Sequence, residues 1–277
     1  MRILLTTDAV GGVLTYTREL LGALLPAGSE FCVAVLGPVP AGAPLPARYE
    51  HHPGKLEWME NPWDDVGDAE RWLEERIARY RPDVVHLNSY LAPRTDAPIL
   101  LAAHSCVLSW WQAVKQEAAP ESWHRYRTQV EKALDNAGRI VTPTHAMREA
   151  LVQHYGAAHD IEVIANTRSP RAFTPNPKRP VIFTAGRLWD DAKNLGALAA
   201  VAPDLAWPVF AAGDSAAIHT ENLRLLGRLE ERQLAAWLGS SAIYALPALY
   251  EPFGLSVLEA GLAGCALVLG DIPSLRE

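Results

Sequence analysis

Apolar and polar positions follow two rhythms along this chain. Residues 3–7 predict a first strand, and Asp8-Ala9-Val10-Gly11-Gly12 reads as a turn. Over residues 13–25 the side chains of Val13, Tyr16, Leu20 and Leu24 share one helical stripe, with Pro26 and Gly28 just beyond its end. Residues 31–36 predict a second strand. A strand, loop, helix and strand in that order imply a parallel sheet. Residues 37–54, rich in Pro, Gly and Ala, predict an irregular loop. A charged amphipathic helix is expected over 68–80, then strands over 83–87 and 99–103, the latter ending at His104-Ser105. Residues 107–137 read as mostly helical and 140–141 as a short strand. Thr142-Pro143 reads as a cap with Pro at the first helical position, in a helix closing at Gly156. Residues 161–165 end this half.

Prolines 170, 175, 177 and 180 mark a linker. A second alternating block follows, with strands over 181–185, 208–212, 223–226, 243–246 and 266–269 and helices over 194–201, 230–238 and 255–263. The pattern predicts an α/β protein of two doubly wound, Rossmann-like domains: residues 1–170, a Pro-rich hinge over 171–180, and residues 181–277. Such sheets bind ligands at the carboxyl ends of their strands. Gly11-Gly12, His104, Gly186-Arg187 and Glu251 all fall at post-strand positions.

Composition narrows the classes. The 277 residues are 49% hydrophobic and 21% charged, with a net charge of −7 spread over both halves. Neither half has the basic balance of a nucleic-acid binder, and no basic amphipathic helix suits an anionic lipid surface. No apolar run approaches the roughly 18 residues of a membrane span. The N-terminus is too short for a signal-peptide core. Cys32, Cys106 and Cys265 lie far apart in apolar stretches and read as buried free thiols of a reducing compartment, hence a cytoplasmic location.

The densest chemistry lies at Tyr250-Glu251-Pro252-Phe253-Gly254-Leu255-Ser256-Val257-Leu258-Glu259-Ala260. Pro252 and Gly254 place Glu251 in a loop, and the spacing of Leu255, Leu258 and Leu262 places Glu259 on the helix that follows. A helix opening beside a glycine loop offers free N–H groups to an anion, here those of Phe253, Gly254 and Leu255. The two carboxylates suit hydroxyl donors, as on a sugar or ribose. They also suit a solvated helix face. Likewise Arg187 and Lys193 fit surface cations, His104 and His86 fit core histidines, and Gly11-Gly12 fits a tight turn. The nine tryptophans, Trp110-Trp111 among them, fit a core as well as an acceptor-stacking surface.

Four stretches in this order resemble the retaining GT-B fold enzymes of glycosyltransferase family 4 (glycosyl transferases group 1). They are Gly11-Gly12-Val13, His104, Gly186-Arg187-Leu188 with Lys193-Asn194, and Glu251-Pro252-Phe253-Gly254 through Glu259-Ala260. The resemblance implies transfer of a sugar from a nucleotide-diphospho-sugar, UDP- or GDP-linked, to a hydroxyl acceptor. It gives Arg187 and Lys193 the diphosphate, Glu251 the donor sugar and Glu259 the ribose. His104 would lie over the reacting sugar, while Gly11 and Gly12 would admit phosphate or acceptor. No Asp-x-Asp occurs, so the reaction is expected to need neither metal nor cofactor. Lys193 and Glu251 are expected in a solvated cleft. Ala165-Asn166-Thr167 departs from the family's Pro-Asn-Gly, and family members continue beyond the position of Glu277, so the second domain is expected to be incomplete. Two other readings compete. A dinucleotide-dependent Rossmann enzyme lacks support, because the first turn has no Gly-x-Gly-x-x-Gly and Leu36-Gly37-Pro38 offers no acid after the second strand. A nucleotide-sugar binder without catalysis fits the same residues.

Overall fold

A computed structural model describes residues 1–9, 11–37, 45–156, 160–214, 218 and 220–277. Val10 of the expected first turn and residues 38–44 of the expected loop lie outside the described residues. The chain divides into two compact units, one of Met1–Trp111 with Glu117–Ala165, the other of Gln112–Gln116 with Asn166–Glu277.

The first unit holds strands β1 (Arg2–Asp8), β2 (Glu30–Leu36), β3 (Arg48–His52), β4 (Val84–Leu87), β5 (Ile99–Ala102), β6 (Arg139–Thr142) and β7 (Ile161–Val163). They form one sheet in the order β3-β2-β1-β4-β5-β6-β7, every pair parallel. Helices α1 (Gly12–Leu24), α2 (Trp63–Tyr80), α3 (Val107–Lys115), α4 (His124–Asn136) and α5 (His145–Tyr155) connect them, though α3 from Gln112 onward is assigned to the second unit. Alternation along β1 and β2 sends Ile3, Leu5, Val33 and Val35 toward α1, where Leu21 closes a core. Leu4, Ala34 and Leu36 face the opposite layer, with Leu73 and Ile77 of α2 and Val130 and Leu134 of α4. The strand order reverses between β1 and β4, which creates the crevice where doubly wound sheets take ligands.

The second unit holds β8 (Arg179–Ala185), β9 (Val209–Ala212), β10 (Leu223–Gly227), β11 (Ser241–Leu246) and β12 (Ala266–Leu269), with α6 (Leu195–Val201), α7 (Glu231–Ser240), α8 (Leu255–Leu262) and α9 (Pro273–Arg276). Its sheet runs β10-β9-β8-β11-β12, again all parallel. The order reverses between β8 and β11. Phe183, Tyr244 and Leu246 pack toward α7 and α8, and Ile182, Val209 and Ala211 toward α6. Among the described residues no helix is long and apolar enough to cross a membrane.

Three local expectations change. β3 runs through the segment expected to be an irregular loop. The stretch over 107–137 is mostly helical as expected, divided by Gln116 at φ 57° and a single 3-10 turn at Glu121–Trp123 before α4. Thr144, not Thr142, caps α5: its hydroxyl accepts from the Met147 N–H at 3.1 Å, with Pro143 before the cap. The Pro-rich stretch expected as a hinge is anchored to the second unit, since Phe173 is 2% exposed and belongs to that unit's core. The Asn176 N–H also donates to the Gly239 carbonyl at 3.0 Å.

Candidate functional site

In the first unit the candidate residues gather where β1, β4 and β5 end. Gly11, at φ 101°, turns the chain out of β1 and opens α1 at Gly12, a conformation that a residue with a Cβ rarely adopts. α1 then carries Tyr16 to the imidazole of His104, with ring centroids 4.7 Å apart and edge to face. Tyr16 also approaches His86 on β4, its hydroxyl 3.4 Å from Nε2. His104 follows β5, and its Nε2 lies 2.7 Å from Oδ1 of Asn88. Burial lowers the His86 pKa to about 4, and burial together with the nearby His86 lowers that of His104 to about 3. Both rings are therefore neutral at pH 7. Burial pushes the Tyr16 phenol up to about 12, so it stays protonated.

In the second unit the loops after β8 and β11 are fastened to each other. Asp190 Oδ1 accepts from the Ala192 N–H and starts a 3-10 turn over Asp191–Lys193. Asn194, at φ 53°, sends its amide to the Pro247 carbonyl at 3.0 Å, and the Leu249 N–H donates to the Ala192 carbonyl at 2.8 Å. These bonds bring Lys193 to Glu251, and the Nζ donates to Oε2. Glu251 Oε1 accepts from the Gly254 N–H at 3.1 Å, so this donor at the start of α8 is already engaged. Phe253 and Leu255 show no backbone N–H partner among the described residues. Both side chains of the Lys193–Glu251 pair are only 13% exposed, which corrects the expectation of a solvated cleft. Arg187 differs: it is 42% exposed, with Nη2 3.3 Å from Asp190 and its guanidinium over Trp189. Gly186 and Gly213 sit back to back at the ends of β8 and β9. A Cβ on Gly213 would lie 1.9 Å from the Gly186 carbonyl oxygen.

Glu259 is buried on α8, and Arg168 meets it there. Arg168 Nε donates to Glu259 Oε1 at 2.7 Å, and its Nη2 donates to Glu231 at 2.5 Å. No motif in the sequence points to Arg168, one of several cations in a Pro-rich stretch. Cys32 and Cys106 are buried, whereas Cys265 is half-buried; all three are free thiols. Among the described residues no group of three or more His, Cys, Asp or Glu side chains is placed to hold a metal ion.

Two Rossmann-like parallel sheets define the class: the architecture is that of the GT-B glycosyltransferases. Sucrose-phosphate synthase from Thermosynechococcus elongatus superposes over 100% of this chain and 82% of its own, with a TM-score of 0.81 at 17% identity. Anabaena Alr3699/HepE in complex with UDP and glucose superposes over 100% and 82%, with a TM-score of 0.71 at 14% identity. A family model described as Glycosyltransferase Family 4 matches residues 10–170, and one described as Glycosyl transferases group 1 matches residues 179–277. The chain belongs to glycosyltransferase family 4. Among curated relatives, a phosphatidyl-myo-inositol mannosyltransferase of Propionibacterium freudenreichii subsp. shermanii is 25% identical over 86% of this chain and 64% of its own length. A glycogen synthase of Mycobacterium tuberculosis is 26% identical over 72% and 54%. The chain thus spans less than two thirds of either relative.

Proposed function

We propose that this chain serves the transfer of a sugar from a nucleotide-diphospho-sugar to a hydroxyl acceptor, with retention of anomeric configuration and without a metal. The first unit would take the acceptor and the second the donor. One observation carries the reading: the loops after β8 and β11 bring Lys193, Glu251 and the start of α8 together at the point where the second sheet reverses. As the glycosidic bond breaks, negative charge builds on the leaving diphosphate. Lys193 and the solvent-facing Arg187 are the cations at hand, and charge-assisted hydrogen bonds from them oppose that build-up. Phe253 and Leu255 add helix-terminus N–H groups. Glu251, an acceptor-only carboxylate, suits the sugar hydroxyls, and Glu259 suits the ribose. Gly11 and Gly12 let backbone approach the ligand closely. A neutral His104 would act by hydrogen bonding at the reacting sugar, not by positive charge. UDP is the favoured nucleotide because Anabaena HepE, of the same fold, is described in complex with UDP-glucose; GDP is the other candidate. A cytoplasmic location fits the three free thiols.

A panel of UDP-, GDP- and ADP-sugars, assayed with and without EDTA, tests the reading. Transfer or donor hydrolysis that survives EDTA supports it. Loss of activity restored by a divalent cation would overturn the metal-free account. Nucleotide binding by calorimetry with no turnover on any donor would assign the chain to binding alone.

A further inference from the structure

A buried polar chain runs behind His104, and its hydrogen-bond directions can be worked out one link at a time. Thr6, at the end of β1, is fully buried, and Asn88, just past β4, is 7% exposed. The backbone N–H of Asn88 donates to Thr6 Oγ1 at 2.7 Å, and its side-chain Nδ2 donates to the Thr6 carbonyl at 2.7 Å. A peptide carbonyl can only accept. The contact therefore fixes the side-chain amide, with NH2 toward Thr6 and Oδ1 toward His104. Oδ1 can only accept as well, so the His104 Nε2 that lies 2.7 Å away must carry the hydrogen. The neutral ring holds a single N–H. Nδ1 is then left with its lone pair, and it has no partner among the described residues.

We propose that Asn88 is a positioning residue that holds His104 as the Nε2–H tautomer, so that Nδ1 is offered at the carboxyl edge of the first sheet as an acceptor for a sugar or polyol hydroxyl. The hydroxyl-recognising role rests on the proposed sugar transfer; the tautomer assignment does not. Orientation of an imidazole by the hydrogen bond on its other nitrogen is a general device. Here the orienting group is a neutral amide rather than a carboxylate. An amide fixes the tautomer without adding negative charge, which keeps the ring an uncharged acceptor.

The test is 15N-histidine NMR of the full chain at pH 7, with the His104 signals assigned by comparison with His104→Gln. The proposal expects one tautomer, with the proton on Nε2 and slow to exchange. In Asn88→Leu it expects a mixture of tautomers or a fast-exchanging Nε2 proton. With whichever donor the wild type uses, Asn88→Leu should lower kcat about tenfold, the value of one neutral hydrogen bond, while the donor KM stays within about twofold. A wild-type ring protonated on Nδ1 would overturn the assignment, even if Asn88→Leu does not fold. So would an Asn88→Leu protein with unchanged tautomer and exchange. An altered tautomer with unchanged kcat would remove the hydroxyl-accepting role alone. A wild-type protein that transfers no sugar but shows the Nε2–H ring would defeat the proposed function while leaving the tautomer intact.

Discussion

Replacing Arg168 by Ala takes a guanidinium away from a carboxylate that the fold has buried. The Arg168 side chain is 9% exposed and that of Glu259 is 8% exposed, with Nε to Oε1 at 2.7 Å. Removing one partner of such a pair costs about 3–5 kcal/mol, because the remaining charge stays uncompensated. The second bond, to Glu231, adds little, since that side chain is 51% exposed and screened by water. The guanidinium also covers the ring of Phe173, at 4.8 Å from its centroid, so some apolar packing is lost too. With a urea slope of about 2 kcal/mol per molar, the unfolding midpoint of the second unit should fall by about 1.5–2.5 M. Hydrogen exchange of peptides from residues 179–277 across a urea series reads that unit separately, which matters because two units need not unfold together. Arg168→Ala/Glu259→Gln should recover part of the loss, since the orphaned charge is gone. A midpoint within about 0.5 M of wild type for Arg168→Ala would refute the reasoning. So would a double variant no more stable than Arg168→Ala.

Three further outcomes are expected. His86 has its folded pKa lowered to about 4 from an unfolded value near 6.5, so between these values the unfolded chain binds the extra proton. Its contribution is complete above about pH 6.5 and is lost toward pH 4, by roughly 3 kcal/mol, and His86→Leu should make that part of a stability–pH curve less steep, with His104 still contributing to the slope. Gly213→Ala places a methyl 1.9 Å from the Gly186 carbonyl at a φ of 138°, so thermal melting should show a large drop or no folded protein. Lys193→Ala should cut turnover on the order of a hundredfold to a thousandfold and also lower the melting temperature, because the Glu251 carboxylate, only 13% exposed, loses its cation. A variant with near-normal transfer would remove Lys193 from the donor site.

Much of this architecture was legible because buried parallel strands are apolar on both faces. Residues 3–5 and 31–36 announce themselves in that way. β3 did not. Arg48-Tyr49-Glu50-His51-His52 lies at the sheet edge, pairs among the described residues only with β2, and has no buried face to demand apolar side chains. The α5 cap was misplaced by two residues because Thr142 and Thr144 both fit a capping pattern, and the hydroxyl geometry decides between them. Lys193 and Glu251 were legible as residue types, but their mutual pairing and its burial were not. Arg168 and Glu259 are 91 positions apart, a distance no local pattern spans. The tautomer of His104 likewise depends on Thr6 and Asn88, joined only when β1 and β4 lie side by side.

The engagement of Glu251 bears on how a donor would arrive. Its carboxylate already satisfies both Lys193 and the Gly254 N–H at the mouth of α8. A diphosphate seeking that cation and that helix end would displace an internal anion rather than meet bare positive charge. On the proposed function, binding would exchange one anion for another, and the liberated carboxylate would turn to the sugar hydroxyls. Affinity gained from phosphate alone would thereby be reduced, and a free nucleotide diphosphate would hold the proposed pocket less firmly than the intact sugar donor. The returning carboxylate would then help drive the spent diphosphate out.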